Sequence, residues 1–152
     1  MNKNAGFTLI EVLVATLVLT VGLLGLAGLQ VTNLVNNRSA YNRSQTTIVA
    51  YDLADRMRAN AAGVAASTYT TLSPATAAAK ANCLTTAGCG SAADMAENDL
   101  YEWNRIVSTT LPGGVGAIAV TGGVFTITIR WDDDRDGDID NDDPRFQTSF
   151  RL

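Results

Sequence analysis

The pattern of hydrophobic residues in the first part of the chain predicts a single long helix. Residues 7–29 are a run of 23 mostly apolar residues in which Glu11 is the only charge. As a helix rising about 1.5 Å per residue, this run spans roughly 34 Å, enough to cross a bilayer core of about 30 Å. Residues 31–60 contain neither Pro nor Gly, so we expect the helix to continue to a total of roughly 50 residues.

The outer half of this helix is predicted to pack on a small domain through one face. Apolar residues recur there close to a heptad spacing, at Leu34, Tyr41, Ile48, Tyr51, Leu53 and Met57. Asp52 and Arg56 are four residues apart and predict an ion pair, which we interpret as part of a solvated helix end.

The remainder of the chain predicts an α+β fold. Residues 61–92 are rich in Ala, Thr, Ser and Gly and predict a loop region with a short helix at residues 75–81. A clearer helix follows at residues 92–109, with apolar residues on one face and Pro112 beyond its end. Alternating apolar and polar residues then predict three strands, at residues 116–120, 124–131 and 146–152. The expected architecture is a long N-terminal helix packed against a small antiparallel sheet.

Charge is concentrated in one segment. The formal net charge of the chain is −4, but residues 132–143 hold eight Asp and one Arg, a net −7. The rest of the chain is therefore slightly basic. It has no basic stripe with interleaved aromatic residues, so we expect no nucleic-acid partner.

The single charge in the apolar run, Glu11, needs an explanation. A carboxylate within a membrane segment costs very roughly 3 kcal/mol or more, so a functional partner for Glu11 is expected. Cleavage after Gly6 would give Phe7 a new α-amino group about one helical turn from Glu11. That amine, on a neighbouring copy of the same kind of helix, is a suitable counter-charge.

Residues 3–28, KNAGFTLIEVLVATLVLTVGLLGLAG, resemble the class III signal and N-terminal helix of type IV pilins and their type II secretion relatives. The resemblance implies that a prepilin peptidase cuts after Gly6 and N-methylates Phe7. It also implies that Glu11 guides the subunit into a helical filament. An ordinary secretory signal fits less well, because the apolar stretch is too long and lacks an A-x-A-like cleavage site.

The resemblance also implies a domain organisation. Residues 1–6 are a leader peptide, residues 7–29 a transmembrane and filament-core helix, and residues 30–152 a periplasmic or extracellular head domain. Lys3 agrees with a cytoplasmic N-terminus under the positive-inside rule. We expect a single-pass inner-membrane protein that is incorporated into a pilus at the cell surface.

Further motifs narrow the resemblance to minor pilins of the PilV type. They lie at residues 22–26, 52–53, 56–60, 99–103 and 111–114, at the paired cysteines and at Trp131. Such a protein joins other minor and major pilins and takes part in priming pilus assembly, near the tip. A minor pseudopilin of a type II secretion system is the alternative within the superfamily.

Cys83 and Cys89 lie six residues apart in the segment placed outside the cytoplasm. An oxidising compartment favours a disulfide between them, the alternative being two free structural thiols. The chain has no histidine, so a Cys/His zinc site is excluded. The lack of histidine and of a recognisable nucleophile motif also argues against an enzyme.

The aspartate-rich segment, residues 132–143, fits the register of a twelve-residue calcium loop, and we name it the aspartate loop. Gly137 stands at position 6, where such loops turn sharply. Asp138, at position 7, would contribute its backbone carbonyl. Position 12 is Asp rather than Glu, which shortens the reach of that ligand and could favour magnesium. The candidate ligands are Asp132, Asp134, Asp136, Asp138, Asp140 and Asp143.

Strands predicted on both sides distinguish this loop from a helix–loop–helix site and place it at the tip of a hairpin. A solvated acidic turn without metal is the alternative. The chain could also be a membrane-anchored calcium-binding module that never polymerises. Cleavage after Gly6 distinguishes that module from a pilin.

Overall fold

The computed structural model describes residues 6–152 and has the α+β architecture expected from the sequence. Helix α1 (Leu9–Ala59) is followed by two short helices, α2 (Ala61–Ala65) and α3 (Thr68–Thr71), and by the longer α4 (Ala92–Thr110). Strands β1 (Val115–Thr121), β2 (Val124–Arg130) and β3 (Arg145–Phe150) form one antiparallel sheet in the order β1-β2-β3.

The predicted elements agree with the structure except between α1 and α4. The predicted 75–81 helix is wrong: 3₁₀ turns occupy Pro74–Thr76 and Ala81–Leu84, and the residues between them are not helical. Helices α2 and α3 lie where a loop was expected. Asn60 explains the first of them, because its side chain accepts a hydrogen bond from the Gly63 amide (3.0 Å) and caps α2.

The chain divides into two compact units, and the boundary lies between Ala40 and Tyr41. The boundary expected from the apolar run was eleven residues earlier, after Leu29. Residues 6–38 are all exposed, so the part of α1 that contributes to the packed core begins later than the end of the apolar run. The second unit, Tyr41–Leu152, contains the sheet, the other helices and the whole hydrophobic core.

The predicted packing stripe of α1 is wrong over most of its length. Tyr41, Ile48 and Tyr51 are exposed, as is Leu34 in the first unit. Leu53 and Met57, at the end of the predicted stripe, are buried as expected. The rest of the buried face lies beside the stripe and is made largely of small or polar residues: Asn42, Thr46, Val49, Ala50 and Ala54. Small side chains suit this face because bulky residues of other elements pack against it, including Trp103, Trp131 and Tyr69.

Trp103 of α4 lies at the centre of the core. Its side chain is fully buried, and its indole N–H donates a hydrogen bond to the Val49 carbonyl of α1 (2.9 Å). Gly116 of β1 faces the same ring, where a Cβ would lie 2.3 Å from the nearest ring carbon. Trp103 thus packs against both α1 and β1, and only glycine at position 116 leaves room for its ring.

The hairpin turn between β1 and β2 is the predicted Gly122-Gly123 pair. Both glycines have positive φ, 58° and 75°, which is the backbone of the tight turn that matches strand twist. The register pairs Thr121 with Val124 across this turn.

Arg56 is part of a polar network that joins α1 to α4, so the interpretation of a solvated helix end is wrong. Its guanidinium donates to Asp52 (2.9 Å), as predicted, and also to Asp99 (3.3 Å) and Glu102 (2.9 Å). Tyr69 of α3 donates its hydroxyl hydrogen to Asp99 (2.5 Å). Sequence spacing predicts only the contact within α1, since the other partners are more than 40 residues away.

The network shifts the acid–base equilibria of its members. The hydrogen bond from Arg56 lowers the pKa of the Glu102 carboxyl below its usual value, and this outweighs the opposing effect of burial. Burial and the hydrogen bond to Asp99 raise the pKa of the Tyr69 hydroxyl. The ionised carboxylate and the neutral phenol are therefore the forms that the fold stabilises.

We predict that Trp103→Phe lowers the free energy of unfolding by about 2–4 kcal/mol, because it leaves a cavity and an unpaired buried carbonyl at Val49. Urea unfolding of the full-length protein in detergent micelles measures this change. Tyr101→Phe, on the more exposed side of the same helix, is the control and should change the stability by less than about 0.5 kcal/mol. Equal stability of the wild type and Trp103→Phe would contradict the assigned role.

We also predict that the Arg56 network contributes to stability on the acid side. Because the pKa of Glu102 is lowered in the folded state, its contribution is complete above the unfolded pKa of about 4.3. That contribution is lost as the pH falls through the lower, folded-state pKa. Glu102→Gln should therefore flatten the dependence of stability on pH below about pH 5, measured by urea unfolding at each pH.

Asp55→Asn is the matched control for that experiment, since Asp55 forms an exposed ion pair with Arg58 within α1. It should keep the wild-type pH profile. A Glu102→Gln profile as steep as that of the wild type would show that Glu102 does not carry the effect.

Candidate functional sites: the N-terminal helix and the aspartate loop

Gly6, Phe7 and Thr8 immediately precede α1 and are exposed. The Phe7 side chain is 85% exposed, and no atom approaches the position that a Cβ on Gly6 would occupy. Gly6 and Phe7, which flank the predicted cleavage point, are therefore non-helical and exposed. The helix begins two residues after Phe7, so the predicted new N-terminus lies before the helix.

Thr8 caps α1, a role not predicted from the sequence motifs. The Glu11 amide donates to the Thr8 carbonyl (3.1 Å) and also approaches the Thr8 hydroxyl (3.4 Å). Thr8 and Glu11 stand at the N-cap and N3 positions, the spacing T-x-x-E of a capping box. That spacing was visible in the sequence. Glu11 therefore has a local structural use, because a carboxylate in the first turn also favours the helix dipole.

The apolar part of α1 has no packing partner within the described chain. An 18-residue window of this helix has a mean hydropathy of 2.5, and none of it is buried. Among residues 6–152, α1 is the one helix long and apolar enough to cross a membrane by length and composition. No side chain approaches Gly22, Gly25 or Gly28.

The structure contains the predicted disulfide between Cys83 and Cys89. The preceding segment is held against α4, because the Lys80 amide donates to the Asn98 side chain (3.0 Å) and the Lys80 ammonium pairs with Glu97 (2.5 Å). Disulfide and ion pair together fasten a segment that has little regular structure of its own.

The aspartate loop lies between β2 and β3, which pair directly, so it occupies the predicted hairpin position. Arg130, the last residue of β2, contacts the loop by donating a hydrogen bond to the backbone carbonyl of Asp140 (2.5 Å). Gly137 has a φ of +101°, consistent with the sharp turn expected at position 6. Arg135 also adopts a positive φ of 66°, uncommon for a residue with a side chain.

Three of the six predicted ligands converge. Asp132, Asp134 and Asp136 each offer a carboxylate oxygen within 4.8 Å of the others. Asp132 is buried, and its two oxygens accept hydrogen bonds from the amides of Arg135 (2.5 Å) and Gly137 (3.1 Å). The other two carboxylates are exposed.

The remaining predicted ligands do not belong to that group. The Asp143 carboxylate instead accepts hydrogen bonds from the amides of Asp133 (2.9 Å) and Asp140 (3.0 Å). Asp140 accepts from the Asp142 amide (2.9 Å), and Asp138 is exposed. The carboxylates of Asp140 and Asp143 therefore accept hydrogen bonds from backbone amides within the loop.

The clustered charges act on the Asp134 carboxyl. The hydrogen bond from the Asp136 amide lowers the pKa of Asp134, but desolvation and the charges of Asp136, Asp143 and Asp132 outweigh it. The pKa of Asp134 is therefore raised above its ordinary value. This is the expected sign for like charges held close together.

Two family models match the chain. The model of the prokaryotic N-terminal methylation motif matches residues 1–27, and the model described as type IV pilin Tt1218 matches residues 28–101. No curated protein and no solved structure matches. The sheet and the aspartate loop lie beyond the matched residues.

The two matches adjoin at residues 27 and 28 and together extend through α1 to α4. They agree with the structure, in which a long, partly apolar N-terminal helix precedes a small antiparallel sheet. The methylation motif implies processing by a prepilin peptidase and assembly with other pilins. On these grounds the chain belongs to the type IV pilin family.

Proposed function

We propose that this chain is a minor pilin of the PilV type, which takes part in priming type IV pilus assembly after cleavage at Gly6 and N-methylation of Phe7. The observation that carries the proposal is the match of the methylation motif to an apolar helix that has no packing partner within the described chain. Such a helix needs either lipid or other apolar helices around it. A membrane and then a filament supply these environments in turn.

Glu11 gives this helix its means of assembly. Cleavage after Gly6 places a positive α-amine at Phe7, and methylation keeps that charge. In a bundle of such helices, the amine of one subunit neutralises the carboxylate of its neighbour. Each pairing relieves the cost of an ionised group in apolar surroundings, about 2.5–3.5 kcal/mol at the centre of a membrane helix. Lateral association is therefore favoured over the isolated membrane helix.

The T-x-x-E spacing predicts a helix-capping role for the Glu11 side chain, which can be separated from the assembly role. Gln at N3 can complete a capping box as Glu does, but it carries no charge. Ala removes both functions. A matched pair of variants at this one position therefore distinguishes loss of charge from loss of the helix cap.

We predict that Glu11→Gln and Glu11→Ala both insert into the membrane and are cleaved after Gly6, yet fall at least about tenfold in the sheared filament fraction, because neither can neutralise the neighbouring amine. Immunoblotting of membrane and filament fractions measures the distribution. Mass spectrometry of the mature N-terminus reports cleavage and methylation. Normal incorporation of Glu11→Gln together with loss of Glu11→Ala would show that Glu11 serves only as a cap.

The same experiment addresses the alternatives. Uncleaved wild-type protein with Met1 intact would favour a membrane-anchored module that never polymerises. Cleaved protein that co-purifies with secretion-system pseudopilins, and not with pilus subunits, would identify a minor pseudopilin. The proposal expects co-purification with other minor pilins.

We further propose that the aspartate loop binds a structural calcium ion. Support comes from the convergence of Asp132, Asp134 and Asp136 within 4.8 Å, at positions 1, 3 and 5 of the register, and from the turn at Gly137. Asp138 would add its backbone carbonyl. Asp140 and Asp143 would complete the oxygen ligands from the other end of the loop. A divalent cation would offset the repulsion within a segment of net charge −7.

We predict that isothermal titration of the full-length protein in detergent micelles detects one calcium site at millimolar calcium or below. Asp134→Asn should weaken binding at least about tenfold, because one of the three converging charges is lost. Asp142→Asn is the control, since it removes an equal charge from the same loop at position 11, which supplies no ligand in the register. No heat at millimolar calcium would exclude the site, and a stronger response to magnesium would change the ion assigned.

A further inference from the structure

Asp133 belongs to the aspartate loop but stands at position 2, which supplies no ligand in the calcium register. Its Oδ1 atom accepts hydrogen bonds from the Asn42 side-chain amide of α1 (3.0 Å) and from the Trp131 indole N–H (2.8 Å). Both donors lie on residues with almost no solvent exposure, 4% for Asn42 and 1% for Trp131. The Asp133 side chain thus connects the loop to the core and to the helix.

The contact lies at the first buried turn of α1. Asn42 is the first residue of α1 with a buried side chain, and Thr46, one turn later, is also buried and bonds back to the Asn42 carbonyl (2.7 Å). A buried amide group that loses its hydrogen-bond partner destabilises the folded state. Release of Asp133 would therefore loosen this turn of the helix.

The same residue closes the loop. The Asp133 backbone N–H donates to Asp143, whose other carboxylate oxygen holds the Asp140 amide. The two ends of the aspartate loop are thereby joined at the residue whose side chain reaches Asn42. Opening of the loop and loss of the helix contact are expected to occur together.

Closure of the loop is opposed by its own charge. The closed form gathers residues of net charge −7, including three carboxylates within 4.8 Å of one another. Repulsion between them rises as they approach and falls when counter-ions screen it. The balance between closed and open forms therefore depends on how well the negative charge is compensated.

We propose that the aspartate loop is a charge-sensitive latch on α1, which holds the Asn42 turn when its charge is compensated and releases it when it is not. Asp133 and Asn42 are the two sides of the latch. Compensation of the loop charge by a bound calcium ion depends on the calcium site proposed above. Compensation by charge-reducing substitutions or by salt screening is independent of that site.

Hydrogen exchange with mass spectrometry on the full-length protein in detergent micelles, with chelator present, tests the latch without metal. Asp138→Asn combined with Asp142→Asn reduces the loop charge from −7 to −5 at two exposed positions. This pair should slow exchange of α1 amides at residues 42–49 by roughly threefold to tenfold. The same pair in an Asn42→Leu background should have no such effect, because the latch is absent.

Amides of α4 at residues 98–107 are the internal control and should exchange at the wild-type rate in every variant. If Asn42→Leu changes the exchange of these α4 amides, Asp133→Ala is used in place of Asn42→Leu, because it removes the same contact from the loop side. Asp133→Asn keeps an acceptor oxygen at this position and should retain the latch. Slowing that persists without Asn42 or Asp133, or no slowing in the wild-type background, would overturn the proposal.

Calcium provides a second arm with a distinct outcome. Calcium should slow exchange at residues 42–49 in the wild type and not in Asn42→Leu, while calorimetry shows binding to both. Binding heat without slower exchange would overturn the latch and leave the calcium loop standing. Absence of heat would exclude the calcium loop, and the charge variants would then decide the latch alone.

Discussion

The packing of Trp103 against α1 is the interaction on which the rest of the second unit depends. Its ring lies between the Val49 backbone and Gly116, so one side chain fixes the distance of α4 from α1 on one side and from the sheet on the other. The small residues on the buried face of α1 follow from this arrangement. Ala50 and Ala54 are buried in the same cluster as the aromatic residues, so a large side chain at either position would overpack the core.

Helix α1 is one continuous element with two parts that differ in their surroundings. In residues 6–38 every side chain is exposed, and most are apolar, which suits lipid or other helices. From Asn42 onward the helix has a buried face, a polar network around Arg56 and an exposed remainder. The family match explains the first part, since type IV pilins are structural subunits built on such a helix. Through this second part of α1, the other elements of the second unit are joined to the helix.

The aspartate loop is the feature that the family match does not cover. Its internal hydrogen bonds join its two ends, and Asp133 connects it to α1 and to Trp131. An acidic loop on a hairpin could have been a solvated appendage. Here it contacts the same helix that carries the proposed assembly charge, so the ionic surroundings of the loop can influence the head near Asn42.

The sequence by itself determined the two long helices and the three strands, the hairpin turn, the disulfide partners and the motif at Gly6, Phe7 and Glu11, because each depends on local chemistry or short spacing. It also placed Asp132, Asp134 and Asp136 in one loop. Only the tertiary structure decided which face of α1 is buried, because that depends on the shapes of Trp103 and its neighbours rather than on the hydropathy of α1. The partners of Arg56 on α4 and the partner of Asp133 on α1 likewise lie 43 to 91 residues away, beyond the reach of any periodic pattern.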